Sequence, residues 1–149
     1  MNQDIIIQNL KKEYTQQREL EISDEEFLIL ILTYPSFLVA ISDGEFDEDE
    51  KALMGEVIKN FTFEVYGNEL SEEEYSNIIS AYLSDFEFLH TNKEMWKAKF
   101  LNALSFLKEK ENEEVKNSII NLMKEIAEVS DGTSNVEKAV IDDVVLNYL

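Results

Sequence analysis

The side chains best suited to chemistry lie in residues 43–50, where six of eight residues are acids and none is a base: Asp43, Glu45, Asp47, Glu48, Asp49 and Glu50. Clustered carboxylate oxygens are the ligands that hard divalent cations prefer. The stretch follows an apolar helical run, and the C-terminal end of a helix carries unpaired carbonyls and a partial negative charge. A carboxylate at this end is repelled by that negative charge. Because a bound cation would relieve the repulsion, we predict that Asp43 and Glu50 ligate a metal. The auxiliary ligands would be Glu45, Asp47 and Asp49.

A second copy of this pattern lies near the other end of the chain. In each copy a Ser-Asp-Gly is followed by Glu-Lys, with six residues between Asp43 and Glu50 and five between Asp131 and Glu137. An internal repeat indicates that the fold is built from related units. We therefore predict Asp131 and Glu137 as a second pair of metal ligands. If the two halves pack together, the two turns share one site.

The same residues also have a purely structural explanation. Asp-Gly pairs are common in turns, and acids in the first turn of a helix interact favourably with its dipole. On this interpretation Asp43 is a turn residue, and Glu48 and Glu50 stabilise the next helix. The structural alternative is stronger for the second copy, where Asp131 and Glu137 are the only carboxylates between residues 131 and 137.

A calcium-binding EF-hand loop fits neither copy. Asp43 and Glu50 would occupy loop positions 5 and 12, but positions 1 and 3 would then be Val39 and Ile41, whose side chains carry no oxygen. In the second copy, position 12 would be Lys138. The acids of the two turns therefore cannot be assigned to roles by the EF-hand pattern.

The elements that must position these residues are predicted to be helices. Strand-like alternation is nowhere sustained, which predicts an all-α fold. Five candidate capping boxes mark helix starts: Ser23…Glu26, Asp47…Glu50, Ser71…Glu74, Thr91…Glu94 and Ser134…Glu137. Seven helices are predicted, over residues 4–20, 24–42, 48–66, 72–90, 92–110, 113–129 and from 135 or 136 to the C-terminus. Since the connections are short, we expect a single compact domain over residues 1–149.

The second predicted helix is apolar almost all round, so we expect it to be the central one. Its apolar run, Phe27–Ile41, is shorter than the roughly 20 residues that a membrane span needs, and acids flank it. No membrane span is therefore expected. Pro35 lies inside this helix and predicts a kink or a break into two pieces. A second apolar stripe, formed by Trp96, Phe100, Leu104 and Leu107, is interpreted as core.

The composition narrows the classes of function. The net charge is −19, from 32 acids and 13 bases, which argues against nucleic-acid binding because phosphates would be repelled. Such a charge is compatible with cations, with a basic protein partner, or with imitation of a nucleic-acid surface. The absence of Cys excludes disulfides, thiolate metal sites and a Cys nucleophile. With no signal-peptide pattern at Met1, we expect a cytoplasmic location.

One short motif suggests an enzyme. Glu87 and His90 form a Glu-x-x-His, which is half of the di-iron arrangement found in four-helix bundles. That arrangement needs two such motifs, and His90 is the only His in the chain. A His near a helix C-terminus, where its cation suits the dipole, is the simpler explanation. No Gly-rich phosphate loop is present either, and we predict a protein that is not an enzyme.

Two segments of the chain resemble the TerB-like tellurite-resistance proteins. They are Phe37–Met54 and Asn121–Ile141, each an apolar helix, an Asp-Gly turn and a further helix start. The resemblance implies an all-helical fold with two pseudo-symmetric halves and acidic clusters proposed to bind metal. It also implies a stress-response or membrane-associated signalling assembly rather than an established catalytic activity. The residues that match the family's acidic turns are Asp43 and Glu50, then Asp131 and Glu137.

These observations combine into one prediction and one alternative. We predict a non-enzymatic acidic module that binds a divalent ion (Ca, Mg, Mn or Zn) at the paired Asp-Gly turns. It would act with other proteins that have basic surfaces, or in a bacterial stress-response assembly. The alternative is a metal-independent acidic protein that binds a basic partner or mimics nucleic acid.

Overall fold

Seven α-helices form the part of the chain that the computed structural model describes, which is residues 2–42, 44, 46–107, 113–129 and 135–149. They are α1 (Asn2–Arg18), α2 (Asp24–Ala40), α3 (Glu48–Tyr66), α4 (Glu72–Thr91), α5 (Lys93–Leu107), α6 (Glu113–Val129) and α7 (Asn135–Tyr148). A 3₁₀ turn at Gly67–Glu69 separates α3 from α4. Within the described residues there is no strand. The prediction of an all-α fold with seven helices is confirmed.

Helix α2 is the centre of the structure. Thirteen of its residues are buried, and α3, α5, α6 and α7 all pack against it. This burial on every side follows from the sequence, since α2 is apolar almost all round. The helix runs continuously through Pro35, so it is not broken into two pieces. None of the helices described is both long and apolar enough to cross a membrane.

Helix α1 is held to this core by an aromatic cluster. The ring of Tyr14 contacts the rings of Phe27, Phe88, Trp96 and Phe100, with centroid separations between 5.4 and 5.8 Å. Several of these contacts are edge-to-face, the arrangement that aromatic quadrupoles favour. Trp96 and Phe100 are fully buried, so the stripe on α5 is core, as predicted.

Local capping chemistry explains where α2, α3 and α4 begin. Asp47 and Glu50 form a reciprocal capping box at the start of α3, and Ser71 and Glu74 form another at the start of α4. Ser23 accepts a hydrogen bond from the backbone N–H of Glu26, as an N-cap does. The capping box predicted at Ser134 lies outside the described residues.

The capping box predicted at Thr91 is wrong. Helix α4 extends through Thr91, whose hydroxyl donates to the carbonyl of Glu87 instead of capping the next helix. Helix α5 then begins at Lys93 after Asn92, which donates from its side chain to the carbonyl of Phe88. The two polar residues therefore serve the end of α4, and the boundary falls about one residue later than the pattern indicated.

Two glycines that follow helices adopt positive φ. Gly44, with φ +92°, follows the end of α2 and donates its N–H to the carbonyl of Ile41 at 2.8 Å. Gly67, with φ +62°, is the C-cap of α3. Both positions use a backbone region that residues with a side chain rarely occupy. Gly67 therefore ends α3, whereas α2 ends at its C-cap Ile41, three residues before Gly44.

Candidate functional site

The predicted metal ligands divide into two groups in the structure. Asp43, Glu45 and Asp131 lie outside the described residues. Asp47, Asp49, Glu50 and Glu137 are described, and all four lie at the starts of helices that pack against α2. These four residues are therefore the part of the predicted site that the structure describes.

Burial singles out the two glutamates that occupy equivalent places in the repeat. Within the described ranges, three acidic side chains are buried: Glu50 and Glu137 are each 6% exposed, and Asp85 is 4% exposed. Carboxylates are seldom buried unless they are paired or hydrogen-bonded. Since Glu50 and Glu137 are two of these three, the repeat in sequence is also a repeat in environment. Both residues take part in polar interactions.

The capping box gives Glu50 a structural role. Its Oε1 accepts from the backbone N–H of Asp47 at 2.9 Å, and Asp47 Oδ1 accepts from the backbone N–H of Glu50 at the same distance. One oxygen of each carboxylate is thus already used to begin α3. Asp47 and Asp49 are exposed, whereas Glu50 is buried.

The described part of the first turn packs against the C-terminal end of α4. Phe46 is buried, with its ring edge-to-face with Phe37 and also with His90. His90 Nε2 lies 3.3 Å from the carbonyl oxygen of Gly44, which can only accept a hydrogen bond. Sequence reasoning placed His90 correctly near a helix C-terminus, but it missed this contact with the acidic turn. No local pattern links residues 44 and 90, so the sequence carries no signal for it.

Glu87, the carboxylate of the Glu-x-x-His motif, forms an ion pair with Lys51. Lys51 Nζ lies 2.8 Å from Glu87 Oε1 and stacks over the ring of Phe46 at 5.9 Å. The hydrogen bond from Lys51 lowers the pKa of Glu87, and the same bond raises the pKa of Lys51. Glu87 therefore joins α4 to the start of α3.

The donor set for a metal is incomplete among the residues with known positions. In the described part of the chain, no group of three or more His, Asp or Glu side chains is placed to hold a metal ion. Asp47 and Glu50 each have an oxygen engaged in the capping box. Any ligand set at the turns would therefore depend on Asp43, Glu45 or Asp131, which lie outside those ranges.

The third buried acid belongs to a network that the sequence did not reveal. Tyr14 donates its hydroxyl to Asp85 Oδ1 at 2.6 Å, and Arg18 donates to the same oxygen at 3.1 and 3.2 Å. Burial raises the pKa of Asp85, against the opposing effects of Tyr14 and Arg18. Burial also raises the pKa of Tyr14, and the neighbouring Asp85 carboxylate adds to this effect. The network joins α1 to α4, and this structural role explains the burial of Asp85.

Comparisons of the chain with protein-family models, with curated proteins and with solved structures found no match. The resemblance to the TerB-like proteins therefore still depends on the two turn segments in the sequence.

Proposed function

We propose that this chain is a non-enzymatic helical module that binds a basic surface of another protein. The observation that supports this proposal is the set of exposed acids on α3 and α6. Asp49, Glu56, Glu125 and Glu128 are exposed, and none forms an ion pair with a described residue. These unneutralised carboxylates belong to a chain with a net charge of −19. A field of that sign attracts cationic partners and repels anionic ones.

Some bases of the chain are paired with acids elsewhere in the fold. Lys11 pairs with Asp24 at 2.7 Å, Lys51 pairs with Glu87, and Lys99 pairs with Glu13. These pairs use a minority of the described bases, and Lys59 on α3 and Lys124 on α6 form no ion pair with a described residue. The acids on α3 and α6 keep their charge available to a partner.

Binding to a cationic peptide tests this function. The probe is a set of synthetic peptides rich in Lys and Arg, titrated in a calorimeter into the full chain at about 50 and about 300 mM NaCl. We expect saturable binding with a defined stoichiometry that weakens at the higher salt concentration, because surface charges are screened there. The absence of binding at the lower salt concentration would overturn the proposal.

A second candidate function is divalent-cation binding at the paired turns, within a stress-response assembly of the TerB-like kind. The observation that favours it is the burial of Glu50 and Glu137 at equivalent places in the repeat. Two buried carboxylates supply oxygen ligands of the type that hard cations take. The missing members of the ligand set would be Asp43 and Asp131.

Thermal melting separates the two candidates. A cation that binds only the folded state raises the melting temperature by mass action. The expected result for a metal site is a larger rise with CaCl₂, MgCl₂, MnCl₂ or ZnCl₂ than with NaCl at equal ionic strength. The excess should vanish in the double variant Asp43→Asn, Asp131→Asn. A rise that depends only on ionic strength would reject the metal function and leave the protein-binding function in place.

A further inference from the structure

A groove between α3 and α6 has an apolar floor. It has a volume of about 280 Å³, and its floor includes Leu53 and Val57 from α3 and Ile126 from α6. Val57 and Ile126 belong to the hydrophobic core, and Leu53 packs against it. The floor is therefore held in place by the packing of the domain.

Acids line the same groove. Glu56 on α3 and Glu125 and Glu128 on α6 are all lining residues, and no Lys or Arg is among them. All three are exposed and form no ion pair with any residue in the described ranges. An apolar floor beside three free carboxylates is complementary to a ligand that is both apolar and cationic.

Two of these acids lie where they do not help their own helix. Glu125 and Glu128 are near the C-terminal end of α6, whose last turn contains no base. A negative charge there interacts unfavourably with the helix dipole. Helix stability therefore does not explain these carboxylates.

An exposed aromatic side chain lies on the same side of α3. Phe63 is 52% exposed, and it follows the groove residues Glu56 and Asn60 at the spacing that places side chains on one helix face. It extends the apolar surface by about one helical turn beyond the groove. Large exposed apolar side chains beside a groove are typical of protein-binding surfaces.

We propose that the α3–α6 groove binds an amphipathic segment of a basic protein. One aliphatic or aromatic side chain of the segment lies on the floor formed by Leu53, Val57 and Ile126, and flanking Lys or Arg side chains pair with the acids. This inference rests on the proposed protein-binding function and locates the binding of the partner in the α3–α6 groove. A second copy of this chain is a poor occupant, because it would bring its own charge of −19 against the same acids.

Two matched peptides test the floor of the groove. Both carry the same number of Lys and Arg residues, but one has a central Leu-Phe pair and the other has Ala-Ala in its place. Their binding to the full chain is measured by fluorescence anisotropy at about 100 mM NaCl. We expect the Leu-Phe peptide to bind about tenfold more tightly, since its apolar side chains are transferred from water to the apolar floor of the groove. Equal affinities would overturn the proposal.

Two matched triple variants test the acids. The groove variant is Glu56→Gln, Glu125→Gln, Glu128→Gln, and the control is Glu21→Gln, Glu69→Gln, Asp142→Asn, which removes the same charge from exposed acids elsewhere. We expect the groove variant to bind the Leu-Phe peptide about tenfold more weakly than wild type, and the control to lose about threefold or less. Melting curves confirm that both variants are folded.

The outcomes distinguish this inference from the proposed function on which it rests. Equal losses in the two triple variants would show binding by overall charge, which rejects the groove and leaves the function. Failure of every cationic peptide to bind wild type would reject both. Sedimentation that shows a dimer of wild type, dissociated in Phe63→Ala, would assign this face to a second copy and overturn the proposal.

Discussion

At the scale of single residues, two fully buried tyrosines differ in what their hydroxyl groups contact. Tyr14 donates to Asp85, whereas the hydroxyl of Tyr34 has no hydrogen-bond partner in the described structure. A buried polar group without a partner costs free energy, and a hydrogen bond to a charged group stabilises more than an ordinary one. The two residues therefore form a matched pair for substitution.

We predict different effects on stability from removing the two hydroxyl groups. Tyr14→Phe should lower the free energy of unfolding by about 1.5–3 kcal/mol, because Asp85 loses a hydrogen-bond donor in a buried place. Tyr34→Phe should be neutral or stabilising, since it removes an unsatisfied group and keeps the ring. Chemical denaturation of both variants beside wild type measures the difference. A loss of stability in Tyr34→Phe as large as that in Tyr14→Phe would contradict this account.

The pH dependence of stability should report on Asp85. Burial raises the pKa of its carboxyl in the folded protein, so the folded state keeps the proton to a higher pH than the unfolded state. Its contribution to stability is then fully present below the unfolded pKa of about 3.9 and is lost as pH rises through the folded pKa. Chemical denaturation of wild type and Asp85→Asn measures the free energy of unfolding of each. We expect wild type to lose stability relative to Asp85→Asn as pH rises from about 3 to about 7. If wild type instead gains stability relative to Asp85→Asn over this range, the effect of Arg18 on the pKa of Asp85 outweighs that of burial.

At the scale of the elements, the capping box of α3 is the best-defined feature of the candidate site. Asp47→Ala should lower the free energy of unfolding by about 1 kcal/mol, because the backbone N–H of Glu50 loses its acceptor. Asp49→Ala is the matched control, since Asp49 is an exposed acid in the same first turn. Its effect should stay within about 0.5 kcal/mol. Equal losses would indicate that first-turn charge matters and that the cap does not.

The same capping chemistry explains why much of the fold could be predicted from sequence. The bounds of α3 and α6 were predicted at the residues where the structure has them. For α3, Asp47 marks the start and Gly67 marks the end, and both act through contacts with near neighbours in sequence. Such contacts leave a pattern that a single sequence carries.

Where the prediction failed, a residue had two local uses. Thr91 could cap a new helix or bond back to the preceding turn, and its hydroxyl bonds to the carbonyl of Glu87. Ser and Thr hydroxyls make both kinds of contact. The choice depends on how α4 and α5 pack, which local sequence does not encode.

The candidate site was less predictable than the helices, because its contacts are long-range. Burial of Glu50 and Glu137 was not predicted, and neither was the approach of His90 to Gly44. The groove was also missed, since Glu56 and Glu125 come from different helices. Only the repeat gave a signal, and it selected the two glutamates without indicating their environment.

At the scale of the whole molecule, self-repulsion is the chief consequence of a net charge of −19. Like charges destabilise a compact state, and salt screens them within a Debye length of about 10 Å at 0.1 M. We predict that the melting temperature rises as NaCl increases from about 20 to about 300 mM. Differential scanning calorimetry measures the change. A falling melting temperature would mean that ion pairs such as Lys11–Asp24 contribute more than the repulsion costs.

The central position of α2 has a consequence for synthesis on the ribosome. Helix α2 ends at Ala40, but α6 and α7, which cover part of its surface, begin only at Glu113 and Asn135. The emerging chain must therefore hold an apolar helix whose covering partners have not yet been translated. Exposed apolar surface of this kind attracts chaperones and promotes aggregation. A chain that stops after α5 would keep that surface uncovered, so we expect nascent fragments of this protein to bind chaperones.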